Sequence, residues 1–374
     1  MSRSLFVFLF IVCLVACKER LVEVPEPKPD PALSWQVSDA FLFDLKNQLT
    51  SYADSNLVIL SGSQTTSIAL NRNGSNPDTS FRHYGGQAQP YGRTDYRPLL
   101  RPAYMGFTLD DVLNFVPTAS PVQSYVNTYV RMASIDKDFA SFQLIPAFAG
   151  NALVANRQNQ IIVPYRQYDR SYATPVLKGS IQLALISLNV PVPPSLALST
   201  RQVKTFQLEN TSFIYNMCSV GDYFILSTSN GIYRVAPDGT FEKTNTQLMP
   251  RLFVYKSDLY GIAQAFSDGV NSNQLLVSKD EGRTWTVLSS SLSTTYGFLY
   301  FQQVGDELIA SYNSQLFQLT LTPTTLTTTE LDNTGLYGNR ITSVAQFRNT
   351  VYVSTLSGVF TKPVRTFLTP KKDK

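Results

Sequence analysis

The sequence predicts an all-β fold, a single β-propeller built of four-stranded blades. Of the 374 residues, 43% are hydrophobic and only 16% are charged, with 20 Tyr and 23 Phe, a composition that suits sheets better than helices. From about Trp35 onward, short runs rich in Val, Ile, Tyr, Phe and Thr alternate with turns of Gly, Asn, Asp or Ser. One arrangement of strand and turn returns along the chain, which is typical of a repeat architecture.

The repeated unit is a turn, an apolar strand, a second turn and a second strand. It stands out at 220–235 (VGDYFILSTSNGIYRV), 304–319 and 348–360, and returns at 150–163 and 55–70. Its first turn is marked by Asn56, Asn151, Asp222, Asp258, Asp306 and Asn349. The last three spacings, of 36, 48 and 43 residues, match a four-stranded blade, while the two longer ones leave room for a hidden blade and an insertion. Seven blades are favoured and six are possible; a pair of β-sandwiches would leave the repeat unexplained.

One stretch departs from this strand pattern. Residues 108–115, TLDDVLNF, carry the only short helical period, and Thr108 is suited to cap a helix there. We therefore expect one short helix within the sheets.

The stretch 275–288, LLVSKDEGRTWTVL, combines two apolar strands with a tight turn. Asp280 can accept hydrogen bonds from backbone amides, Gly282 tolerates a positive φ, and Trp285 is predicted to be an apolar wedge facing the next sheet. The run Ser278, Asp280, Gly282, Thr284, Trp285 resembles the Asp-box (BNR) hairpin of sialidase-like β-propellers, S-x-D-x-G-x-T-W, at every specified position. In that family the box lies away from the ligand face, so the resemblance implies architecture and not activity.

The N-terminus predicts a lipid anchor. Residues 1–16 have a positive start and a short apolar run, the layout of a secretory signal, and Leu14 to Cys17 are similar to the bacterial lipobox. Cys17 would then be lipidated, and 17–34 would form a Pro-rich, semi-rigid tether. The propeller is expected over 35–368, followed by a basic tail, 369–374. Lys18 at the second mature position favours the outer membrane, with the leaflet left open.

Composition excludes several kinds of site. A net charge of +4 gives no electrostatic case for nucleic acid. The three cysteines, Cys13, Cys17 and Cys218, leave one thiol after processing, so neither a disulfide framework nor a Cys-based zinc site is expected. Cys218 is predicted to be a buried strand residue. A single histidine excludes a multi-His site, and we predict no metal and no cofactor.

Two segments interrupt the blade rhythm and are rich in Tyr and Arg: 81–104 and 164–175. Because Tyr and Arg combine flat contact area with directed donors, these segments are predicted to line one mouth of the propeller. The alternative is that they are extended blade hairpins whose tyrosines cover the edge of the core. The predicted ligand-binding residues are Arg82, Tyr91, Arg93, Tyr96, Arg97, Arg101, Tyr165, Arg166, Asp169 and Arg170.

The favoured function is a lipid-anchored, non-catalytic propeller that binds a glycan, a peptide or an envelope protein. A sialidase-like or other glycoside hydrolase is one alternative, because the resemblance implies an arginine cluster, a tyrosine nucleophile and acidic partners. The family's F-R-I-P segment is only half matched by 81–84, FRHY, and acids are sparse in both Arg/Tyr segments. A structural subunit of an envelope complex is the other alternative, since propellers serve all three purposes.

Overall fold

The computed structural model describes part of the chain. The described residues are 34–37, 49–53, 57–61, 64–67, 82–85, 87–89, 93–94, 105–107, 112–115, 128–140, 154–174, 176–189, 199–267, 270–336, 338, 340–347, 349–355 and 357–372. They are almost entirely β-strand. No helix among them is long and apolar enough to cross a membrane.

The first part of the described chain contains short strands followed by longer ones. They are β1 (Gln36–Val37), β2 (Leu49–Ala53), β3 (Leu57–Ser61), β4 (Gln64–Ser67), β5 (Arg82–Gly85), β6 (Gln87–Gln89), β7 (Arg93–Thr94), β8 (Met105–Phe107), β9 (Val112–Phe115), β10 (Thr128–Arg131), β11 (Phe139–Ala140), β12 (Val154–Ala155), β13 (Gln160–Asp169), β14 (Val176–Leu177), β15 (Ile181–Asn189) and β16 (Ser199–Leu208). A single helical turn, α1 (Met132–Ile135), joins β10 to β11.

The second part runs in regular groups of strands. They are β17 (Ile214–Val220), β18 (Tyr223–Thr228), β19 (Gly231–Val235), β20 (Phe241–Asn245), β21 (Arg251–Tyr255), β22 (Asp258–Ser267), β23 (Val270–Ser278), β24 (Thr286–Leu292), β25 (Tyr300–Val304), β26 (Glu307–Tyr312), β27 (Gln315–Leu321), β28 (Leu326–Glu330), β29 (Ile341–Phe347), β30 (Thr350–Thr355) and β31 (Gly358–Pro363). A 3-10 helix (Thr294–Phe298) precedes β25, and α2 (Val364–Phe367) follows β31.

These strands form successive antiparallel sheets in chain order, the topology of a β-propeller. Strands β21–β24 and β25–β28 are each a four-stranded meander, as are β17–β20, to which β7 is added. Strands β12, β13, β15 and β16 form a further sheet, and β6, β8, β9 and β10 another. The hairpins β2–β3 and β4–β5 complete the set. The all-β propeller prediction is confirmed, and the number of blades stays a prediction.

The last sheet is closed by the start of the domain. Strand β1 pairs antiparallel with β31, so that Gln36 lies opposite Thr361 and Val37 opposite Phe360. Trp35 is buried against Phe367, with ring centroids 6.0 Å apart, and its amide donates to the carbonyl of Thr334. A sheet made from both ends of the domain resists opening, because its fourth strand arrives from a distant part of the sequence.

The core lies between the faces of neighbouring sheets. One apolar cluster joins the β12–β16 sheet to β17–β20, a second joins β17–β20 to β21–β24, and two more continue in the same order to β29–β31. Phe253 on β21 stacks on Phe301 on β25 with centroids 4.4 Å apart. Alternate residues of each strand face opposite neighbours, and the sheets β17–β20, β21–β24 and β25–β28 therefore each contribute to two of these clusters.

The turn between β23 and β24 has the geometry that its sequence predicts. The Asp280 carboxylate accepts from the Thr284 amide at 2.9 Å and from the Thr284 and Ser278 hydroxyls at 2.7 and 2.8 Å. Gly282 has a φ of 84°, and a Cβ at this position would lie 2.3 Å from Cδ1 of Ile225 in the preceding sheet. Both the backbone angle and the close approach therefore require glycine here.

Trp285 is half-buried and faces the preceding sheet, not the next one. Its ring lies over Gly261, and its indole nitrogen donates to the Thr244 hydroxyl at 3.3 Å. It packs on the cluster that contains Cys218, which is buried as predicted. The expected wedge is present, but the sheet it contacts was predicted wrongly, since the pattern of one hairpin contains no information on the direction of the ring.

One further sequence prediction was wrong. Residues 112–115 are strand β9, paired with both β8 and β10, and not a helix; pairing on both edges outweighs one turn of helical period. The predicted turn at Asn151 lies outside the described residues and stays a prediction. The turn that joins β12 to β13 lies at 157–159, where Asn159 has a φ of 56°.

Candidate functional site

The two ends of the propeller carry different turns. We call the end that holds the 279–285 turn the box end; it also holds the turns at 221–222, 256–257 and 305–306, which join the first two strands of their sheets. We call the opposite end the arm end; it holds the β13–β14 hairpin, the turns at 229–230 and 313–314, and the connections 209–213 and 293–299. Antiparallel meanders fix this division, because successive turns alternate between the two ends.

The first Arg/Tyr segment, 81–104, is described only in part. Arg82 lies in β5 and Arg93 in β7, while Tyr91, Tyr96, Arg97 and Arg101 lie outside the described residues. Strand β7 pairs parallel with β17, placing Arg93 opposite Cys218 and Thr94 opposite Ser219. β17 is the first strand of its sheet, so the backbone of Arg93 lies along the edge of that sheet where its meander begins.

The second Arg/Tyr segment is an extended hairpin, one of the two alternatives that the sequence leaves open. Strand β13 pairs with β15 up to Tyr165 and then continues beyond that pairing. Its extension pairs with β11 on one edge, and with β14 through Tyr168 opposite Leu177 and Asp169 opposite Val176. We call residues 166–178 the arm.

A hydrogen-bonded carboxylate fixes the base of the arm. Tyr165 is fully buried, and its hydroxyl donates to Oδ2 of Asp136 at 2.9 Å. Gln167 donates to the same oxygen at 2.7 Å, and the Asp138 amide donates to Oδ1 at 2.9 Å. Two of these donors, Tyr165 and Gln167, lie in β13 and hold the arm against the segment that joins α1 to β11.

The pKa shifts at the base of the arm keep the Tyr165 hydroxyl neutral and the Asp136 carboxylate charged. Burial alone raises the pKa of the Asp136 carboxyl, but hydrogen bonds from Gln167, the Asp138 amide and Tyr165 bring it below its ordinary value. Burial, the hydrogen bond to Asp136 and the charge of Asp136 all raise the pKa of Tyr165 well above the ordinary value. A phenol held neutral in this way is suited to support the arm and unsuited to be a nucleophile.

The charged residues of the arm are engaged with nearby protein groups. Arg170 pairs with Asp138 at 3.0 Å and donates to the Lys137 carbonyl at 3.2 Å. Arg166 reaches the neighbouring sheet and donates to the Ser212 carbonyl at 3.1 Å. Asp169 accepts from the amide and hydroxyl of Ser171, which bend the tip, and these bonds lower its pKa. Four of the predicted residues thus lie together and stabilise one hairpin: Tyr165, Arg166, Asp169 and Arg170.

The arm carries four exposed apolar side chains. Tyr168 and Tyr172 are 36% and 62% exposed, and Val176 and Leu177 are 50% and 46% exposed. The sequence singled out neither Val176 nor Leu177, because an aliphatic pair in a strand ordinarily belongs to a core. A firmly held hairpin that presents four such side chains is suited to bind a partner.

The arm end also carries an aromatic pair that the sequence analysis missed. Phe298, at the end of the 3-10 helix, is 59% exposed, and Tyr312, at the end of β26, is 37% exposed. Their ring centroids are 6.4 Å apart and their planes are tilted by 50°. The two residues lie 14 positions apart in unremarkable strand and turn segments, so no local pattern could have found them.

The described part of the chain shows no cluster of metal ligands. Within it, no three His, Cys, Asp or Glu residues come together in a way that could hold a metal ion. The buried cations there have structural partners: Arg234 stacks on Tyr223 and pairs with Glu242, and Lys362 donates to the Asp332 carbonyl.

Comparison with known proteins gives distant likenesses of structure. No family model and no curated protein matches the chain. Among solved structures, it is similar to the Niastella koreensis GH74 enzyme (13% identity, TM-score 0.49, 86% of this chain and 53% of that one). It is also similar to the extracellular domain of BT4673 from B. thetaiotaomicron (12% identity, TM-score 0.46, 88% of this chain and 40% of that one). A third similar structure is BamB from Moraxella catarrhalis (10% identity, TM-score 0.41, 88% of this chain and 96% of that one). The chain thus spans about half or less of the first two proteins.

Proposed function

We propose that this chain is a lipid-anchored, non-catalytic β-propeller of a bacterial envelope that binds a glycan, a peptide or a partner protein through its arm end. One observation carries the binding role. The arm exposes Tyr168, Tyr172, Val176 and Leu177 on a hairpin whose base is held by the Asp136 carboxylate. A rigid support lowers the entropy lost on binding, and exposed Tyr with neighbouring Arg suits a contact surface.

The location rests on the N-terminal sequence. The signal-like residues 1–16, the lipobox-like cysteine at 17 and the Pro-rich stretch to 34 support an anchored protein, and the residue after Cys17 favours the outer membrane. Replacing Cys17 by Ala is the direct test. The anchored form incorporates radiolabelled fatty acid and sediments with the outer membrane, whereas C17A is expected to do neither; labelling of C17A would contradict the anchor.

The Asp-box assignment is part of the same proposal. The match at Ser278, Asp280, Gly282, Thr284 and Trp285 is supported by the hydrogen bonds of Asp280 and by the contact of the turn with the preceding sheet. In Asp-box propellers this hairpin lies away from the ligand, which favours the arm end as the binding end of this chain.

A capture experiment tests the binding role. The full anchored chain is isolated from its native envelope in mild detergent, and co-eluting protein and glycan are both measured. A variant with Tyr168, Tyr172, Val176 and Leu177 changed to Ser should lose the captured material. The matched control changes Phe241 and Val287, which are 41% and 48% exposed near the box end, to Ser. Equal capture by the arm variant and the wild type would overturn the role of the arm, and no captured material would overturn the binding function.

A further inference from the structure

Phe298 and Tyr312 form a partly exposed aromatic pair. Phe298 is 59% exposed and Tyr312 is 37% exposed, and their ring centroids lie 6.4 Å apart. Aromatic rings of this size ordinarily bury most of their surface on folding. Two neighbouring rings left open at the arm end therefore favour a ligand that covers them.

The segments that carry the two rings are fixed. The 3-10 helix begins at Ser293, whose hydroxyl accepts from the Thr295 amide, and the Tyr296 hydroxyl donates to the Leu326 carbonyl at 2.9 Å. Leu299, directly after Phe298, is buried. Tyr312 ends strand β26, and the carbonyl of the next residue, Asn313, accepts from the Ile341 amide at 2.7 Å. The tilt and spacing of the rings are thus set before any ligand arrives.

The two segments that carry the pair are polar and themselves uncharged. Residues 293–300 and 312–315 contain hydroxyl, amide and aromatic side chains and no Asp, Glu, Lys or Arg. Ser293, Thr294, Thr295 and Asn313 are all exposed. Charged side chains that contact these segments are engaged with protein groups: Glu330 accepts from Gln315 and pairs with Lys371, and the buried Arg251 donates to the Leu299 carbonyl.

Aromatic faces surrounded by neutral hydroxyl and amide groups match the two faces of a sugar. A pyranose ring presents a flat patch of C–H groups that stacks on aromatic rings, and a rim of hydroxyls that exchange hydrogen bonds with Ser, Thr and Asn. We infer that the Phe298–Tyr312 pair is a subsite for a neutral oligosaccharide. The inference rests on the proposed binding function and narrows its ligand class at one sheet, β25–β28.

Titration with defined sugars tests the subsite. The purified chain is titrated by calorimetry with neutral hexasaccharides of β-1,4-glucose, xylose, mannose and N-acetylglucosamine, and with hexagalacturonate as an anionic comparison. We expect at least one neutral hexasaccharide to bind. F298A should weaken that binding at least tenfold and Y312A about fivefold, while Y312F, which keeps the ring, should stay within twofold of wild type. F241A removes another exposed aromatic ring, outside this pair, and should leave binding unchanged.

The outcomes separate this inference from the proposed function. If no neutral hexasaccharide binds while the anchored chain still captures an envelope protein, the subsite is wrong and the binding function stands. Sugar binding that F298A leaves unchanged would overturn the location of the subsite. Binding of a proline-rich decapeptide that is abolished by F298A, with no sugar bound, would assign the rings to a peptide and overturn the sugar class.

Discussion

The box-end turns and the base of the arm use hydrogen bonds for different purposes. At the box end, side chains of one sheet bind turns of its neighbour: Asn156 donates to the Asp222 carbonyl, Arg234 to the Glu281 carbonyl and Tyr255 to the Asp306 carbonyl. At the base of the arm, the Asp136 carboxylate instead ties one hairpin to the segment before it. The box-end turns thus link consecutive sheets, while this carboxylate supports a hairpin that carries four exposed side chains.

This difference predicts that changes at the box end lower stability and changes at the arm tip do not. The largest effect is expected for Trp285→Ala, which empties a space between two sheets. Loss of the indole contacts should cost about 3 kcal/mol in the free energy of unfolding, measured by denaturant titration. Val287→Ala, on the strand that follows, should cost under about 1 kcal/mol because that side chain is already 48% exposed. Equal losses would show that Trp285 does not join the sheets.

Asp280→Ala tests how much the turn between β23 and β24 contributes to stability. The change removes the acceptor of the Thr284 amide, the Thr284 hydroxyl and the Ser278 hydroxyl, and should cost about 2 kcal/mol. Asp238 makes a similar local turn with Thr240 at the same end, and is the matched control. Asp238→Ala should have a smaller effect on the denaturation midpoint, because it removes only the two hydrogen bonds from Thr240.

Acid should remove a contribution of the box end to stability. Burial alone raises the pKa of Asp280, but hydrogen bonds from Thr284 and Ser278 lower it to about 2. A depressed carboxyl pKa gives stability that is present above the unfolded value near 4 and is lost as the pH falls through about 2. Solvent screening limits this contribution to about 1 kcal/mol. Denaturation from pH 5 to 2 should show a shallower loss in Asp280→Asn than in wild type; parallel curves would contradict the shift.

Tyr165→Phe tests the base of the arm, and we expect it to change the free energy of unfolding least. It removes one of the three hydrogen bonds to Asp136 while keeping the buried ring, at a cost of about 1 kcal/mol. Amide hydrogen exchange should speed up in the arm and stay unchanged in β17–β31. Tyr172→Phe, at the exposed tip, should alter neither quantity. Faster exchange spread over all sheets would mean that the base of the arm supports the whole fold.

What the sequence could predict depends on the range of the contacts involved. The turn at Asp280 was predictable because its partners lie within four residues and its types are restricted by φ and by carboxylate chemistry. The β-propeller was predictable from the repeat. The base of the arm was not, because Tyr165 and Asp136 lie 29 positions apart and nothing local marks their pairing.

The failures have the same cause. Strand β9 looks like a helical turn until its two partner strands are known. The closure by β1 and the pairing of β7 with β17 join residues over a hundred positions apart. Phe298 and Tyr312 become neighbours only because a connection and a turn meet at the same end of one sheet.

Hydrogen exchange of the captured complex tests most directly that the arm end is the binding end. Exchange is measured for the free chain and for the chain bound to the material it captures from the envelope. We predict slower exchange at 166–178 and at 293–299 in the bound form, and unchanged exchange at 279–285. Slowing concentrated at 279–285 or at 236–240, with the arm unchanged, would contradict the division of this propeller into a structural end and a binding end.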